Sequence, residues 1–222
     1  MVELKGNLNY ESCVIPVCGA TDVMHGKSFF DYAEEAARYF KTAHIILCDT
    51  LDVHNLCPNP EMRDETLAIA RAMGDRWLRK HLANLEDLFT NVSVLRWDEV
   101  KADPTFKDRL SLAEKLYHQS FPVEQWVDKE CMTYAQIAAK RRQAQGFTPD
   151  IGDLFQRSVN YMIEEIAGTA VYYDLYKAPA VYPGTYFDNP HFFDMNNTLF
   201  PHIKLTMPEH ISVSFENERL VA

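Results

Sequence analysis

The chain has 222 residues, 47% of them hydrophobic and 24% charged, the make-up of a soluble globular protein of one large domain (1–222) with a core big enough to hold a small-molecule pocket. Its formal net charge of -10 argues against a general nucleic-acid binder but leaves room for a local basic patch. The five cysteines (Cys13, Cys18, Cys48, Cys57 and Cys131) are odd in number and lack a CxxC pair, so they read as reduced thiols rather than a disulfide framework.

The N-terminal stretch has no basic segment followed by an apolar block, and no apolar run is long enough to span a bilayer, so a cytoplasmic location is expected. "CVIPVCG" (13–19) reads as a buried strand closed by a glycine. "KSFFDYAEEAARYF" (27–40) has helical periodicity, with Phe30, Ala33, Ala37 and Phe40 on one side. "AHIILCD" (43–49) is a second buried strand. The segment 60–89 is a long helix with proline near its start, and "NVSVLRWD" (91–98) is a third strand. Cys18 and Cys48 each close an apolar run and read as small buried hydrophobes. Segments 123–146 and 150–176 read as helices. "PAVYPG" (179–184) reads as a short strand entering a turn, and "HISVSFENERLVA" (210–222) as an edge strand. Alternating strands and helices predict an α/β fold: a single Rossmann-like domain with a central parallel sheet flanked by helices and a helical second half. Ligands in such sheets sit at the carboxyl ends of the strands, where Gly19–Thr21 falls.

That loop is not a known phosphate cradle. A dinucleotide turn needs GxGxxG, and Gly19 is followed by no second glycine in place. Gly26-Lys27-Ser28 resembles the end of a P-loop, but the earlier glycine would have to be residue 21, which is Thr21. His25, His44 and His54 are not at metal-ligand spacing, and there is no HExxH.

Tyr161 and Glu165, four residues apart on a predicted helix, share a face; a carboxylate beside a phenol can hold an ammonium group or relay protons, or can be an ordinary surface pair. On the 60–89 helix, Leu67, Gly74, Leu78 and Leu85 are expected to face inward. Arg76, Arg79 and Lys80 are expected to face outward, and residues 71–81 carry a net +3 against the global sign. Lys140, Arg141 and Arg142 form a second basic cluster. Asp49 ends the second strand, either as a cap or as a carboxylate that receives a cationic side chain.

Taken in order, these pieces resemble the tRNA-dependent cyclodipeptide synthases, over about residues 14–187. "VCGAT" echoes the family's Gly-x-Ser. The basic-faced helix, the Trp97-Asp98 pair, Tyr161-x-x-x-Glu165 and Tyr182-Pro183 follow at similar spacing. Tyr182-Pro183, with Met24 three residues after the hydroxyl, is similar to the Tyr-Pro subfamily; Asp49 fits loosely with a diverged, arginine-using branch. The resemblance implies a Rossmann-type domain related to class I aminoacyl-tRNA synthetases. It implies a reaction that joins two aminoacyl-tRNAs into a 2,5-diketopiperazine with no ATP, cofactor or metal. The implied catalytic residues are Thr21, Tyr161, Glu165 and Tyr182. Val17, Gly19, Met24, Asp49 and Pro183 would line the substrate pocket, and Arg76, Arg79 and Lys80 would meet the tRNA. The chain departs from the family at Thr21, where the family has serine: the hydroxyl is kept, but the β-branch crowds its attack. Ser28 and Cys18 are the fallback nucleophiles. The alternatives are an aminoacyl-tRNA-binding relative that has lost its nucleophile, or an unrelated nucleotide-binding Rossmann enzyme. The stretch after residue 188 has no functional reading.

Overall fold

A computed structural model describes residues 2–18, 24, 26–57, 60–183 and 210–215. Its strands are β1 (Val2–Lys5), β2 (Ser12–Val17), β3 (Thr42–Leu47), β4 (Asn91–Arg96), β5 (Ala180–Pro183) and β6 (His210–Phe215). The helices are α1 (Gly26–Ala37), α2 (Val53–Leu56), α3 (Arg63–Leu88), α4 (Trp97–Ala102), α5 (Phe106–Gln119), α6 (Phe121–Ala144) and α7 (Ile151–Tyr176). The strands make one sheet in the order β1-β6-β5-β2-β3-β4, parallel except for β1.

The apolar runs explain the centre of this sheet. Val14 and Ile15 of β2 and Ile45 and Ile46 of β3 are fully buried on opposite faces, as parallel strands covered on both sides must be. One layer of core, with Ile15, Val17, Ile45 and Leu47, meets Phe29 and Tyr32 of α1 and Trp77 and Leu85 of α3. The other, with Val14, Cys18, Ile46 and Cys48, meets Trp97 of α4 and Ala167 and Val171 of α7. Helices α5 and α6 pack outside α7 through Ala113, Val127 and Cys131.

The chain runs outward from β2 through β3 to β4, then returns to place β5 on the other side of β2. The sheet therefore changes direction between β2 and β5, and a crevice forms at the carboxyl ends of such a pair. Sequence widens it. The Val14 N–H donates to Pro179 O at 2.8 Å, so the next amide facing β5 belongs to residue 16. That residue is Pro16, which has no N–H, and Val14 with Ala180 is the single register pair of the two strands.

Four sequence expectations shift. Ala33 and, just past α1, Phe40 are buried as expected, but Phe29, Tyr32 and Ala36 take the places expected for Phe30 and Ala37, because the Tyr32 hydroxyl donates to Val181 O and draws that phenol inward. On α3, Gly74 and Leu85 are buried as expected, but Thr66, Ala70, Trp77 and His81 complete the face, with Leu67 and Leu78 half-buried beside it. The third strand stops at Arg96, whose N–H donates to Glu99 Oε2 at 2.8 Å; Trp97-Asp98 opens α4 instead of ending β4. Finally, β6 is not an edge: β1 pairs with it antiparallel and takes the edge position.

Candidate functional site

The crevice between β2 and β5 is bordered by α7, which starts with a well-capped turn: Asp150 accepts from the backbone N–H groups of Gly152 and Asp153. One face of this helix lies against the carboxyl ends of β2 and β3. There the Tyr161 hydroxyl donates to Cys18 Sγ at 3.4 Å, and the nearby Cys48 thiol donates to Ile46 O at 3.7 Å. Burial, and then the neighbouring Cys18, push the Tyr161 phenol well above its ordinary range, so it stays a proton donor at neutral pH.

Glu165, one turn on from Tyr161, is half-buried. Its carboxyl is pushed up to about 8, first by burial and then by the Asp52 carboxylate. A carboxyl poised near neutrality in a crevice suits proton transfer or the capture of an ammonium group.

Glu164 behaves in the opposite way. It accepts from the Trp97 indole N–H at 2.8 Å and from His54 Nε2 at 2.9 Å, and Lys101 Nζ lies 3.2 Å away. Burial alone would raise its carboxyl; the His54 bond, the Lys101 charge and the indole N–H outweigh that and hold it at about 2. Adjacent carboxylates on one helix are thus driven apart, one fixed as an anion and one held neutral below about 8. Sequence reading passed over Glu164; its signal was an acidic residue on the apolar side of an otherwise buried helix.

A second assembly closes β3 and β4. Asp49, 4% exposed, takes Arg96 Nε at 3.0 Å and Arg96 Nη2 on one oxygen, and the Thr50 N–H at 2.8 Å on the other. Arg96 Nη1 also donates to Asp75 at 2.7 Å and Nη2 to Arg71 O at 3.1 Å, both on α3. Arg71 in turn grips Asp98, which also accepts from the Thr50 hydroxyl at 2.9 Å. Asp49 is therefore both a cap and half of an internal ion pair. Asp52, in the same 3-10 turn (Thr50–Asp52), is buried and was missed by sequence reading; the second acid of "DTLD" just past a strand was its signal.

Beside this turn lies a cavity of about 260 Å³ lined by Leu47, Asp49, Asp52, Met73, Gly74, Arg76, Trp77 and Lys80 among others. Gly74 is necessary to its wall: a Cβ there would stand 2.6 Å from Asp49 Oδ2 and 3.0 Å from Leu47 Cδ2. Because Asp75 is bound to Arg96 and Arg71 to Asp98, the basic patch of α3 reduces to Arg76, Arg79 and Lys80, all exposed and with no ion-pair partner among the described residues. In the second cluster, Arg142 Nη2 donates to Asn55 O at 3.2 Å and ties α6 to α2.

The remaining candidates fall as follows. Val17 and Met24 are fully buried in the core with Phe29 and Trp77, and the Trp77 indole N–H donates to Met24 O at 2.8 Å. Tyr182, half-buried, and Pro183 end β5 across the crevice from β2, in register with Ser212 and Val213. Ser28 sits on α1, half-buried. Gly19 and Thr21 lie outside the described residues; Cys18 is the last described residue before them. Among the described residues, no three His, Cys, Asp or Glu side chains come together as a metal site.

No family model matches the sequence, and no curated protein does. Solved structures do match in shape. A cyclodipeptide synthase from Fluoribacter dumoffii superposes with a TM-score of 0.75 at 17% identity, covering 98% of this chain and 100% of that one. One from Candidatus Glomeribacter gigasporarum, bound to Phe-tRNAPhe, gives 0.68 at 14% identity over 93% and 87%. This chain has the cyclodipeptide synthase fold. A Mycobacterium tuberculosis protein described as relating cyclodipeptide synthetases to type I tRNA synthetases shares the fold too, with a TM-score of 0.54 at 9% identity over 93% and 86%. The cyclodipeptide synthase fold thus accounts for nearly the whole chain, helical second half included.

Proposed function

We propose that the chain is an aminoacyltransferase that joins two aminoacyl-tRNAs into a cyclodipeptide. The observation that carries this reading is the Tyr161–Glu165 face of α7, turned to the end of β2 at the sheet's switch point, within the cyclodipeptide synthase fold.

In the proposed route, the Thr21 hydroxyl attacks the ester carbonyl of the first aminoacyl-tRNA. The ribose hydroxyl leaves with the threonine proton, and the aminoacyl group stays as an ester on the enzyme. Its ammonium group is held by Tyr161 and Glu165. A carboxyl at about 8 is mostly protonated in the empty site at neutral pH; an arriving ammonium favours its ionised form, and the carboxylate can then accept the proton the amine must shed before it attacks. The held amine, once deprotonated, attacks the ester carbonyl of the second aminoacyl-tRNA; one amide forms, the ester bond to the ribose breaks, and the second tRNA leaves with the amine's proton, so the dipeptide remains as an ester of Thr21. Its free amine then attacks that ester carbonyl; a second amide forms, the bond to the threonine oxygen breaks, and the amine's proton goes to the Thr21 oxygen. Tyr182, at the end of β5, relays it. The esters are already activated, so the protein mainly aligns two reactants.

The cavity beside the 50–52 turn is the proposed side-chain pocket for one residue. Asp49 remains on its wall, but the Arg96 guanidinium already neutralises it, which weighs against Asp49 as the receptor of a free cationic side chain. Arg76, Arg79 and Lys80, two of which line the mouth of that cavity, are the proposed contacts for tRNA phosphates. Tyr182-Pro183 and Met24 support a place in the Tyr-Pro subfamily.

Expression in bacteria followed by mass spectrometry of the medium tests the reading. Diketopiperazines above background that vanish in Glu165→Gln would support it. Tight tRNA binding with no product would point instead to a non-catalytic relative.

A further inference from the structure

We propose that Arg96 is a positioning residue for the candidate site: through Asp49 it fixes the 49–52 turn so that Asp52 is presented to Glu165. The idea rests on the reading of Glu165 as the amine-binding carboxyl, although the geometry behind it does not.

The guanidinium joins three elements. It reaches Asp49 with Nε and Nη2, Asp75 with Nη1 at 2.7 Å, and Arg71 O with Nη2 at 3.1 Å, so the end of β4 is clamped to α3 and to the end of β3 at once. A planar fork is suited to this; an ammonium is not. From Asp49 the constraint continues along the chain. Its side chain caps Thr50 N at 2.8 Å, its carbonyl accepts from Asp52 N at 3.3 Å, and the Val53 N–H closes the same turn on Thr50 O and Leu51 O. Asp49 and Asp52 are therefore the two ends of one rigid turn. The Thr50 hydroxyl bond to Asp98, itself held by Arg71, pins its middle. Gly74 lets α3 approach until no Cβ would fit, leaving Asp49 no room to retreat.

The 50–52 turn packs directly against α7, and the beneficiary on that helix is Glu165. Cys48 faces it from the end of β3, Cys131 from α6, and Tyr161 and Tyr172 from its own helix; all four are held neutral by raised pKa values. His54 of α2 and Lys101 of α4 are turned to Glu164 instead. Asp52 is thus the charge, among the described residues, that acts with burial to hold Glu165 at about 8. Should the turn slacken, Asp52 would move off and water would enter, and both changes favour the carboxylate.

The test follows Glu165 directly. The full chain is labelled with ¹³C at the glutamate carboxyls, the Glu165 resonance is assigned by its loss in Glu165→Gln, and its titration is read by NMR. The wild type should titrate near 8. Asp52→Asn and Arg96→Met should each bring the midpoint to about 7 or below. The pH profile of product formation should move with it, and kcat should fall more than KM rises. Arg96→Lys, which keeps the charge but not the fork, should move it part of the way, and it serves where Arg96→Met does not fold. A folded Arg96 variant whose Glu165 titrates as in the wild type overturns the proposal, even if it is less stable. A shifted midpoint in a protein that makes no cyclodipeptide under any condition leaves the positioning role standing and retires the synthase reading.

Discussion

The Trp97 indole N–H meets the Glu164 carboxylate at 2.8 Å, while the six-membered ring of the same indole lies where a Cβ on Gly168 would fall, 2.2 Å from Cη2. A single residue at the start of α4 thus sets both the distance and the rotation of α7. Since α7 carries Tyr161 and Glu165, this contact decides where the candidate catalytic face points.

Gly168→Ala should therefore be among the most damaging small changes in the chain. The methyl must displace a fully buried indole, and overpacking of this kind costs about 1–3 kcal/mol or more. Gly74→Ala should cost a similar amount by pushing Asp49 off Arg96. Thermal melts of both variants check this; a Tm equal to that of the wild type in either would contradict the packing described.

Glu164 and Glu165 should leave opposite marks on stability against pH. For Glu164 the folded value, about 2, lies below the ordinary glutamate value of 4.5. Its contribution is present above about 4.5 and lost as pH falls toward 2. For Glu165 the folded value, about 8, lies above 4.5. Folding therefore loses free energy as pH rises from about 4.5 to 8 and levels off above that. Glu165→Gln should be more stable than the wild type at pH 8.5, by on the order of 2–3 kcal/mol after allowance for solvent access, and should lose most of that advantage by pH 5. Glu164→Gln should be less stable than the wild type at neutral pH, with the gap narrowing in acid. Urea melts across that range measure both.

Arg76, Arg79 and Lys80 offer a test of RNA contact that is separate from chemistry. Replacing all three with alanine should weaken aminoacyl-tRNA use and lower the slope of log affinity against log salt by about 2. The fold should be intact, since the three side chains are exposed. An unchanged slope would remove this face of α3 from the RNA surface.

Much of this was legible in the sequence, for physical reasons. Fully apolar strands such as "CVIPV" and "HIIL" announce a parallel sheet, and the order of elements sets β2 and β3 side by side. Tyr161 and Glu165 were readable because helical spacing alone puts them on one face. What was not readable depended on partners distant along the chain. The role of Asp49 turned on Arg96, 47 residues away, and that of Glu164 on Trp97 and His54, the farther 110 residues away. Tyr32 was absent from the expected inward stripe of α1 because its carbonyl partner, Val181, belongs to a strand near the other end of the chain. β1, only four residues long, has too little pattern to be read, yet its pairing with β6 removed the expected edge.

The central claim is that the Tyr161–Glu165 face serves aminoacyl transfer to and from a hydroxyl at position 21. The most direct measurement supplies the purified chain with radiolabelled aminoacyl-tRNA, quenches in acid, and counts label retained on the protein alongside cyclodipeptide formed. The account predicts covalent label and product in the wild type. It predicts no label in Thr21→Ala, and product formation reduced at least about 100-fold in Glu165→Gln. Covalent label and product at wild-type levels in both variants would contradict it.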